Sequence, residues 1–329
     1  MPAVSIIITT HNRPSLLARA IESARTAGTD VEVVVVDDAS SDETSEICQS
    51  TSGIKYVRVE RNQGVAGARN IGLVACLGEY VTFLDDDDVR LPGSLDQQIR
   101  MLEQTPSAGL VYAMAIPEDP DGTQRTPYPA VCPQGDVLWE LLVRNFIPSG
   151  SVVFRRACLT QVGLLDESIP GIDDWDLWIR IAELFPVLAV ETPAVIWRQS
   201  TASSAQGSSD TVSLIERGRK RFRSDWMHLP RVTNAPSEKR KAVWRAFSEN
   251  IAEHLVWESF SNLRRAEIGR AAESFRNLLQ LHPGAALHIL RRWTRASTAA
   301  TLLKTIVQRE NLPNARARFK QIRSDIARQ

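Results

Sequence analysis

The apolar positions of this 329-residue chain fall into two regimes. Up to about residue 115, short unbroken apolar runs alternate with segments of helical spacing. Val4–Thr10 is such a run. It is followed by Leu16, Leu17, Ala20, Ile21 and Ala24, which recur at the helical period behind a Pro14-Ser15 start. The same reading gives strands at 31–36, 54–60, 80–84 and 109–115, and helices at 42–49, 67–77 and 95–102. Strands that are apolar throughout, rather than alternating, are covered on both faces. Strand and helix in alternation call for a mostly parallel sheet flanked by helices. The expected fold class is therefore α/β.

Beyond Ile116 the alternation weakens. Residues 117–133, rich in Pro, Asp and Gly, read as a loop or hairpin excursion. Helices are expected at 136–144, 158–162 and 174–184, the last with Leu177, Trp178, Ile181 and Ala182 on its apolar face. Short strands are expected at 151–154, 187–190 and 194–197. The Ser/Ala/Gly stretch 200–209 reads as a linker or mobile loop. From Thr211 the pattern is helical, with amphipathic segments at 243–260 and 266–281, a Pro283-Gly284 break, and helices at 285–293 and 298–307. The domain reading is a first region 1–210, with halves 1–115 and 116–210, and a helical region 211–329.

Charge separates the same two regions. The formal net charge is zero, yet residues 1–215 carry 15 Lys/Arg against 29 Asp/Glu, and residues 216–329 carry 24 against 10. A basic helical face suits an anionic membrane surface, a second subunit or the acidic region itself. No nucleic-acid-binding motif is present, so nucleic acid is not an expected partner. The 43% apolar and 24% charged fractions are those of a globular protein, and no apolar stretch approaches a membrane span. The N-terminus enters a strand with no leader pattern, and Cys48, Cys76, Cys132 and Cys158 form no CxxC. A cytoplasmic protein with reduced thiols is expected, peripheral to the inner membrane face if the basic helices bind lipid.

The chemistry gathers at strand ends. The first strand delivers Thr9, Thr10, His11, Asn12 and Arg13, the second Asp37 and Asp38, and the fourth Asp85, Asp86, Asp87 and Asp88. Parallel neighbours place their carboxyl ends on one edge, where open α/β sheets bind ligands. Four adjacent carboxylates raise each other's pKa or recruit a counter-charge, and a hard divalent cation is one such charge. A solvated acidic turn is the plainer alternative. A further acidic cluster, Asp173, Asp174 and Asp176 with Trp175 between, opens the helix at 174. A carboxylate there is favoured by the helix dipole whether or not it does chemistry. Trp175 and Trp178 either wall a sugar site or belong to the core. GxGxxG and GxxxxGK[ST] are both absent, which removes the glycine phosphate cradle.

Five segments, in order over residues 4–198, resemble the family 2 glycosyltransferases of the GT-A fold. They are Val4–Thr10 with His11-Asn12-Arg13; Val35-Val36-Asp37-Asp38-Ala39-Ser40-Ser41-Asp42; Asn62-Gln63-Gly64-Val65-Ala66-Gly67-Ala68-Arg69-Asn70-Ile71-Gly72; Phe83-Leu84-Asp85-Asp86-Asp87-Asp88 before Leu91-Pro92; and Gly171-Ile172-Asp173-Asp174-Trp175-Asp176-Leu177-Trp178. The resemblance implies an inverting transfer from a nucleotide-sugar, with a UDP-sugar favoured, to a glycan or lipid-linked acceptor in surface polysaccharide synthesis. It implies that Thr9, His11 and Arg13 serve the nucleotide, with Asp38 on the base and Arg69 by the pyrophosphate. Asp86 approaches the ribose or the metal. Asp85 and Asp87 form the DxD pair for Mg²⁺ or Mn²⁺, and Asp174 is the catalytic base. Asp173, Trp175 and Trp178 fall on the acceptor side. The family often has a histidine shortly after a Tyr-Arg pair, where this chain reads Trp197-Arg198-Gln199. The competing readings are a nucleotidyltransferase, which lacks its Gly-rich loop here, and a non-catalytic nucleotide-sugar-binding or scaffold protein.

Overall fold

A computed structural model describes residues 2–198, 211–264 and 268–281. The chain divides into two compact units, Met1–Leu138 with Asn145–Gln206, and Trp139–Arg144 with Gly207–Gln329.

The first unit is built on one eight-stranded sheet. Its strands are β1 (Val4–Thr10), β2 (Val31–Asp37), β3 (Lys55–Arg58), β4 (Tyr80–Asp85), β5 (Val89–Arg90), β6 (Leu110–Glu118), β7 (Val153–Arg155) and β8 (Val187–Arg198), in the order β3-β2-β1-β4-β7-β6-β8-β5. β3-β2-β1-β4 is parallel throughout, and β6 is parallel to β8, whereas β7 runs antiparallel to both its neighbours. The sheet is thus parallel in its first half and mixed in its second. The helices are α1 (Pro14–Thr26), α2 (Thr44–Ser50), α3 (Gly64–Ala75) and α4 (Ser94–Gln104), then α5 (Leu138–Val143), α6 (Leu159–Val162) and α7 (Asp173–Leu184).

Both faces of β1, β2 and β4 are buried, as their unbroken apolar composition requires. Ile6, Ile8, Val33, Val35 and Leu84 join Leu17, Ala20, Ile21 and Ala24 of α1 and Leu95, Ile99 and Leu102 of α4 in one core. On the opposite face α3 packs so closely that a Cβ on Gly72 would lie 2.3 Å from Ile7 Cγ2. That approach explains the small residues of α3.

Three expectations change. The runs at 187–190 and 194–197 are one twelve-residue strand, because β8 bulges through Glu191-Thr192-Pro193 where its register against Ala113–Ala115 of β6 shifts. A two-residue strand, β5, follows the aspartate run. The helix expected at 136–144 is α5, and Trp139–Arg144 group with the second unit rather than the first. The 117–133 excursion is a hairpin closed by bridges from Glu118 to Gln124 and from Ala115 to Tyr128.

The second unit contains α8 (Thr211–Ser224), α9 (Pro230–Thr233), α10 (Ser237–Arg264) and α11 (Ile268–Leu281). Phe222 stacks on Phe247 at 4.2 Å between ring centroids, with Trp226 and Trp244 around them. The buried Val243, Phe247, Ile251 and Leu255 of α10 recur at four-residue spacing, so one stripe of α10 is interior. The loop expected at 200–209, Gln199 and the helices expected at 285–293 and 298–307 lie outside the described residues. Among those residues, no helix is long and apolar enough to cross a membrane.

Candidate active site

Register places the polar strand ends together. Thr9 lies opposite Val36 on β2 and Asp85 on β4, and Thr10 lies opposite Asp37. The chain leaves β1 through Asn12, at φ 55°, and β2 through Ala39, at φ 62°. Asparagine tolerates this left-handed region, and here its side chain is used as well. Asn12 Oδ1 accepts from Ser41 N at 2.7 Å, and Asn12 N donates to Ser40 Oγ at 2.9 Å. The two loops are thereby stitched side by side. His11 Nδ1 donates to the Asp38 carbonyl at 2.6 Å, which turns its ring toward the second loop.

Asp37 and Asp38 have separate structural duties. Asp37 is fully buried and accepts from Ser40 N at 2.8 Å and the Tyr56 hydroxyl at 2.7 Å, with Arg58 Nη1 at 3.5 Å. Asp38 accepts from Gln63 N at 2.7 Å and Gly64 N at 2.9 Å, so its carboxylate serves the amides that open α3. Burial raises its pKa, opposed by those two amides. A base contact from Asp38 must therefore share a carboxylate already held by backbone.

The aspartate run is divided between two arginines. Arg13 Nη1 lies 2.9 Å from Asp86 Oδ1 and 3.4 Å from Asp87 Oδ2. Thr10 Oγ1 donates to the other oxygen of Asp86 at 2.8 Å. Burial holds the Asp86 carboxyl up to about 6, against the pull of Arg13 and Thr10. Arg69, on α3, lies beneath the run. Its Nη2 is 2.7 Å from Asp85 Oδ1, its Nη1 is 3.4 Å from Asp173 Oδ2, and its guanidinium sits 5.0 Å over the Phe83 ring. Burial opposes its charge, but Asp85, Asp173 and Asp174 outweigh burial and keep the guanidinium protonated. Asp88 is buried and points the other way, accepting from Arg198 N at 2.9 Å at the end of β8. Burial, then Asp85 and Asp87, push its pKa well up.

The acidic start of α7 meets the same arginine. Asp173 is buried and accepts from Gly171 N at 3.0 Å, while Asp174 is half-buried and accepts from Trp175 N at 2.6 Å. Burial first and Asp173 second push Asp174 up to about 7, with Arg69 pulling against them. A carboxyl held near neutrality is what a general base needs at working pH. Asp176 is wholly interior and pairs with Arg180 at 2.8 Å. Trp175 remains partly exposed beside Asp174. Trp178 corrects the expectation that it belongs to the acceptor side. It has no exposed surface and packs against Phe154 at 5.8 Å and Phe83 at 6.4 Å.

Among the described residues, no three of His, Cys, Asp and Glu converge as a metal-binding group. The side chains of Asp85 and Asp87 do present oxygen donors at the rim, 43% and 13% exposed. A Mg²⁺-like ion that takes one or two carboxylates and completes its shell from a substrate's phosphates suits that donor set. Sequence reasoning singled out Arg13 and Arg69 but not their partners. It missed the support from Thr10 and Asn70 and did not separate Asp88 from the run. The Asp85–Arg69–Asp173 link spans residues far apart in the chain, and no local pattern announces it.

Residues 5–160 match the family model described as glycosyl transferase family 2. An uncharacterized glycosyltransferase of Rickettsia felis is 29% identical over 216 residues, 63% of this chain and 35% of that protein. The uncharacterized glycosyltransferase YwdF of Bacillus subtilis is 26% identical over 211 residues, 62% of this chain and 77% of its own length. The succinoglycan biosynthesis protein ExoO of Rhizobium meliloti is 37% identical over 117 residues, 35% of this chain and 33% of ExoO. The matched region is thus about a third of the first and last of these relatives. In fold, the chain is similar to S. aureus TarS, with a TM-score of 0.56 at 17% identity over 75% of this chain and 43% of that one. It is also similar to TarS 1–349 in complex with UDP-GlcNAc, with a TM-score of 0.50 at 16% identity over 83% of this chain and 91% of that one.

Proposed function

From the match of residues 5–160 to glycosyl transferase family 2, we propose that the chain transfers a sugar from a nucleoside-diphosphate sugar to an acceptor hydroxyl with inversion. The observation that carries this reading is the buried guanidinium of Arg69. It bridges the aspartate run at Asp85 and the α7 acids at Asp173. One side chain therefore holds a donor-side carboxylate and an acceptor-side carboxylate at a fixed separation, as a bond-forming step between two substrates requires.

In the proposed step, Asp174 takes the proton of the acceptor hydroxyl as its oxygen attacks the anomeric carbon. The C–O bond to the diphosphate breaks, and the electron pair leaves on the β-phosphate oxygen. One displacement with one base gives inversion, whereas retention needs two. Asp85 and Asp87 would hold Mg²⁺ or Mn²⁺, which offsets charge on the departing diphosphate. Arg13 and Arg69 lie against those carboxylates, and their guanidinium groups would be shared between the carboxylates and the diphosphate. The nucleobase is assigned to the seam between the Thr9–Arg13 and Asp38 loops. A UDP-sugar is favoured, because the similarly folded TarS 1–349 is described in complex with UDP-GlcNAc. The identity with ExoO supports a role in polysaccharide synthesis on a glycan or lipid-linked acceptor.

Thermal unfolding against nucleoside diphosphates, with Mn²⁺ or EDTA, tests the donor half. A ligand at 100 times its Kd stabilises by about 2.7 kcal/mol. The expected result is a shift for one base that EDTA removes. No shift for any base, with or without metal, refutes the donor reading.

The second unit is assigned to an anionic lipid surface. Arg219, Lys220 and Arg223 of α8 form no ion pair among the described residues, and Arg223 stacks over Trp244 at 4.8 Å. Burial and then Arg223 lower the pKa of Arg219, against the opposing pull of Glu216. Flotation with phosphatidylglycerol vesicles, but not with phosphatidylcholine vesicles, is expected. Equal behaviour on the two refutes it and leaves packing or a second subunit as the use of that face.

A further inference from the structure

The residue after Arg69 has no part in the chemistry above, yet its geometry is as specific. Asn70 is buried on α3, and its side-chain amide faces one residue of the loop that leads into α7. Asn70 Nδ2 donates to the Leu165 carbonyl at 3.0 Å, and Asn70 Oδ1 accepts from Leu165 N at 3.0 Å. The same Nδ2 donates to Glu167 Oε1 at 3.0 Å. Both backbone polar groups of Leu165 are thus satisfied by one side chain, as a neighbouring strand would satisfy them. The start of the loop is held from α7. Arg180, anchored by the interior Asp176, donates to the carbonyls of Val162, Gly163 and Leu164. Gly163 is at φ 76°, in the left-handed region where the chain turns out of α6. Leu165, Ile169 and Ile172 are buried, so the loop is also fastened by apolar anchors.

On this basis we infer that Asn70 is a positioning residue for the reaction. Together with Arg180 it fixes the loop 163–172 and so sets where the start of α7 carries Asp174. Arg69 and Asn70 are consecutive on α3. The first fastens α7 by charge at Asp173, and the second fastens the incoming loop by hydrogen bonds at Leu165. Neither anchor does the other's work. An ion pair at 3.4 Å constrains distance weakly, whereas a two-way amide contact fixes both position and direction. A buried asparagine with three partners is a costly way to fill space, since each partner lost leaves an unpaired group behind. Its cost is understandable if the place of the α7 start matters more than the packing.

The inference rests on the transferase reading, and its test keeps the two apart. Asn70→Ala removes all three bonds. Asn70→Asp keeps the shape and the acceptor for Leu165 N–H but loses the donors to Leu165 O and Glu167, and it serves if the alanine variant does not fold. Glu167→Gln in the Asn70→Asp background supplies a donor to the new carboxylate. Ile99→Val, on the core face of α4, is the control for a mild loss of stability. Release of nucleoside diphosphate is measured with a panel of UDP-, GDP- and dTDP-sugars and Mn²⁺. The nucleoside-diphosphate thermal shift is measured in parallel, together with hydrogen exchange of the peptide 163–176.

Faster exchange confined to 163–176 is expected. It should come with a fall in kcat of about 10²-fold, the scale on which a misplacement of ~1 Å acts, an unchanged donor KM and an unchanged nucleotide shift. Partial recovery of kcat is expected in the Asn70→Asp/Glu167→Gln protein. A folded Asn70→Ala protein whose kcat matches that of Ile99→Val overturns the inference, because Asn70 then serves stability alone. Unchanged exchange at 163–176 overturns it as well. A wild type that releases no nucleoside diphosphate from any donor refutes the transferase reading instead, and exchange at 163–176 still decides whether Asn70 places the loop.

Discussion

Asp174→Asn is expected to stabilise the protein while disabling it, and the pH dependence identifies the cause. The folded carboxyl is pushed up to about 7 from an ordinary 3.8, chiefly by burial and then by Asp173. Below about pH 4 both the folded and the unfolded carboxyl are protonated, and the stability associated with this group is fully present. Between about pH 4 and 7 the unfolded chain gives up its proton while the folded chain keeps it, so stability is progressively lost. Above about 7 the loss is complete. Three units at 1.36 kcal/mol each would be ~4 kcal/mol. Asp174 retains part of its contact with water, and a discount for that leaves about 1–3 kcal/mol.

Asparagine does not titrate, so the variant escapes the loss. Asp86 and Asp88, whose pKa values burial also raises, titrate alike in both proteins and cancel in the difference. Urea denaturation of wild type and variant, at half-unit steps from pH 4.5 to 8.5, is the assay. The variant's advantage should be smallest at pH 4.5, where the unfolded carboxyl has already lost most of its proton, and should rise to about 1–3 kcal/mol above pH 7.5. At ~2–4 °C per kcal/mol for a unit of this size, that is roughly 2–12 °C in Tm. Turnover should fall by about 10²–10⁴-fold, the usual worth of a positioned base. A stability difference that does not vary between pH 4.5 and 8.5 refutes the claim that burial strains this carboxylate, and with it the argument that its pKa suits it to be the base.

Two further substitutions examine the surroundings. Arg69→Ala leaves Asp173 buried without its cation, and breaking such a pair costs about 3–5 kcal/mol. Chemical denaturation should show that loss, and Arg69→Lys should recover only part of it, since an ammonium cannot span Asp85 and Asp173 as a planar fork does. A loss under 1 kcal/mol would show the bridge to be dispensable. Trp178→Ala should cost about 3–5 kcal/mol as a fully buried aromatic. Trp175→Ala should leave stability within about 1 kcal/mol of wild type, as expected away from the core, and lower turnover. Equal stability losses would refute the division of the two tryptophans between core and rim.

The first half of the sheet was legible because local pattern and environment agree there. Apolar runs such as Val4–Thr10 are long enough to be buried on both faces, and they are. Where a strand carries polar or proline residues the reading broke. β8 continues past Glu191, Thr192 and Pro193 because its extra residues bulge while β6 runs on beside it, and pairing with β6 is not visible in the sequence of β8. The α7 signal at 174–184 was sound, and its helical period already put Trp178 on the apolar face, where it is buried; the acceptor-side place came from the resemblance alone. The acidic residues of the site were legible as residues but not as partners. Arg13 meets Asp86 across 73 positions, and Arg69 meets Asp173 across 104. Pairing at that separation is a property of topology.

That separation also explains why the centre of the site lies on α3 rather than on the aspartate run. Isolated carboxylates at a strand end gain little from burial and much from water. Asp86 and Asp173 can be buried only because guanidinium groups reach them. For Asp173 the arginine comes from a helix pressed against β1. Gly72, which admits Ile7, lies three residues beyond Arg69 on the same helix, and so belongs to the same turn. The closeness that Gly72 allows therefore lowers the helix far enough for Arg69 to reach Asp85, and leaves Asn70 beside the α7 loop. A Cβ at position 72 would lift α3 from β1 and disturb the pairs of Arg69 with Asp85 and Asp173 together. The small-residue composition of α3 is in this sense part of the active site, although none of its glycines need touch a substrate.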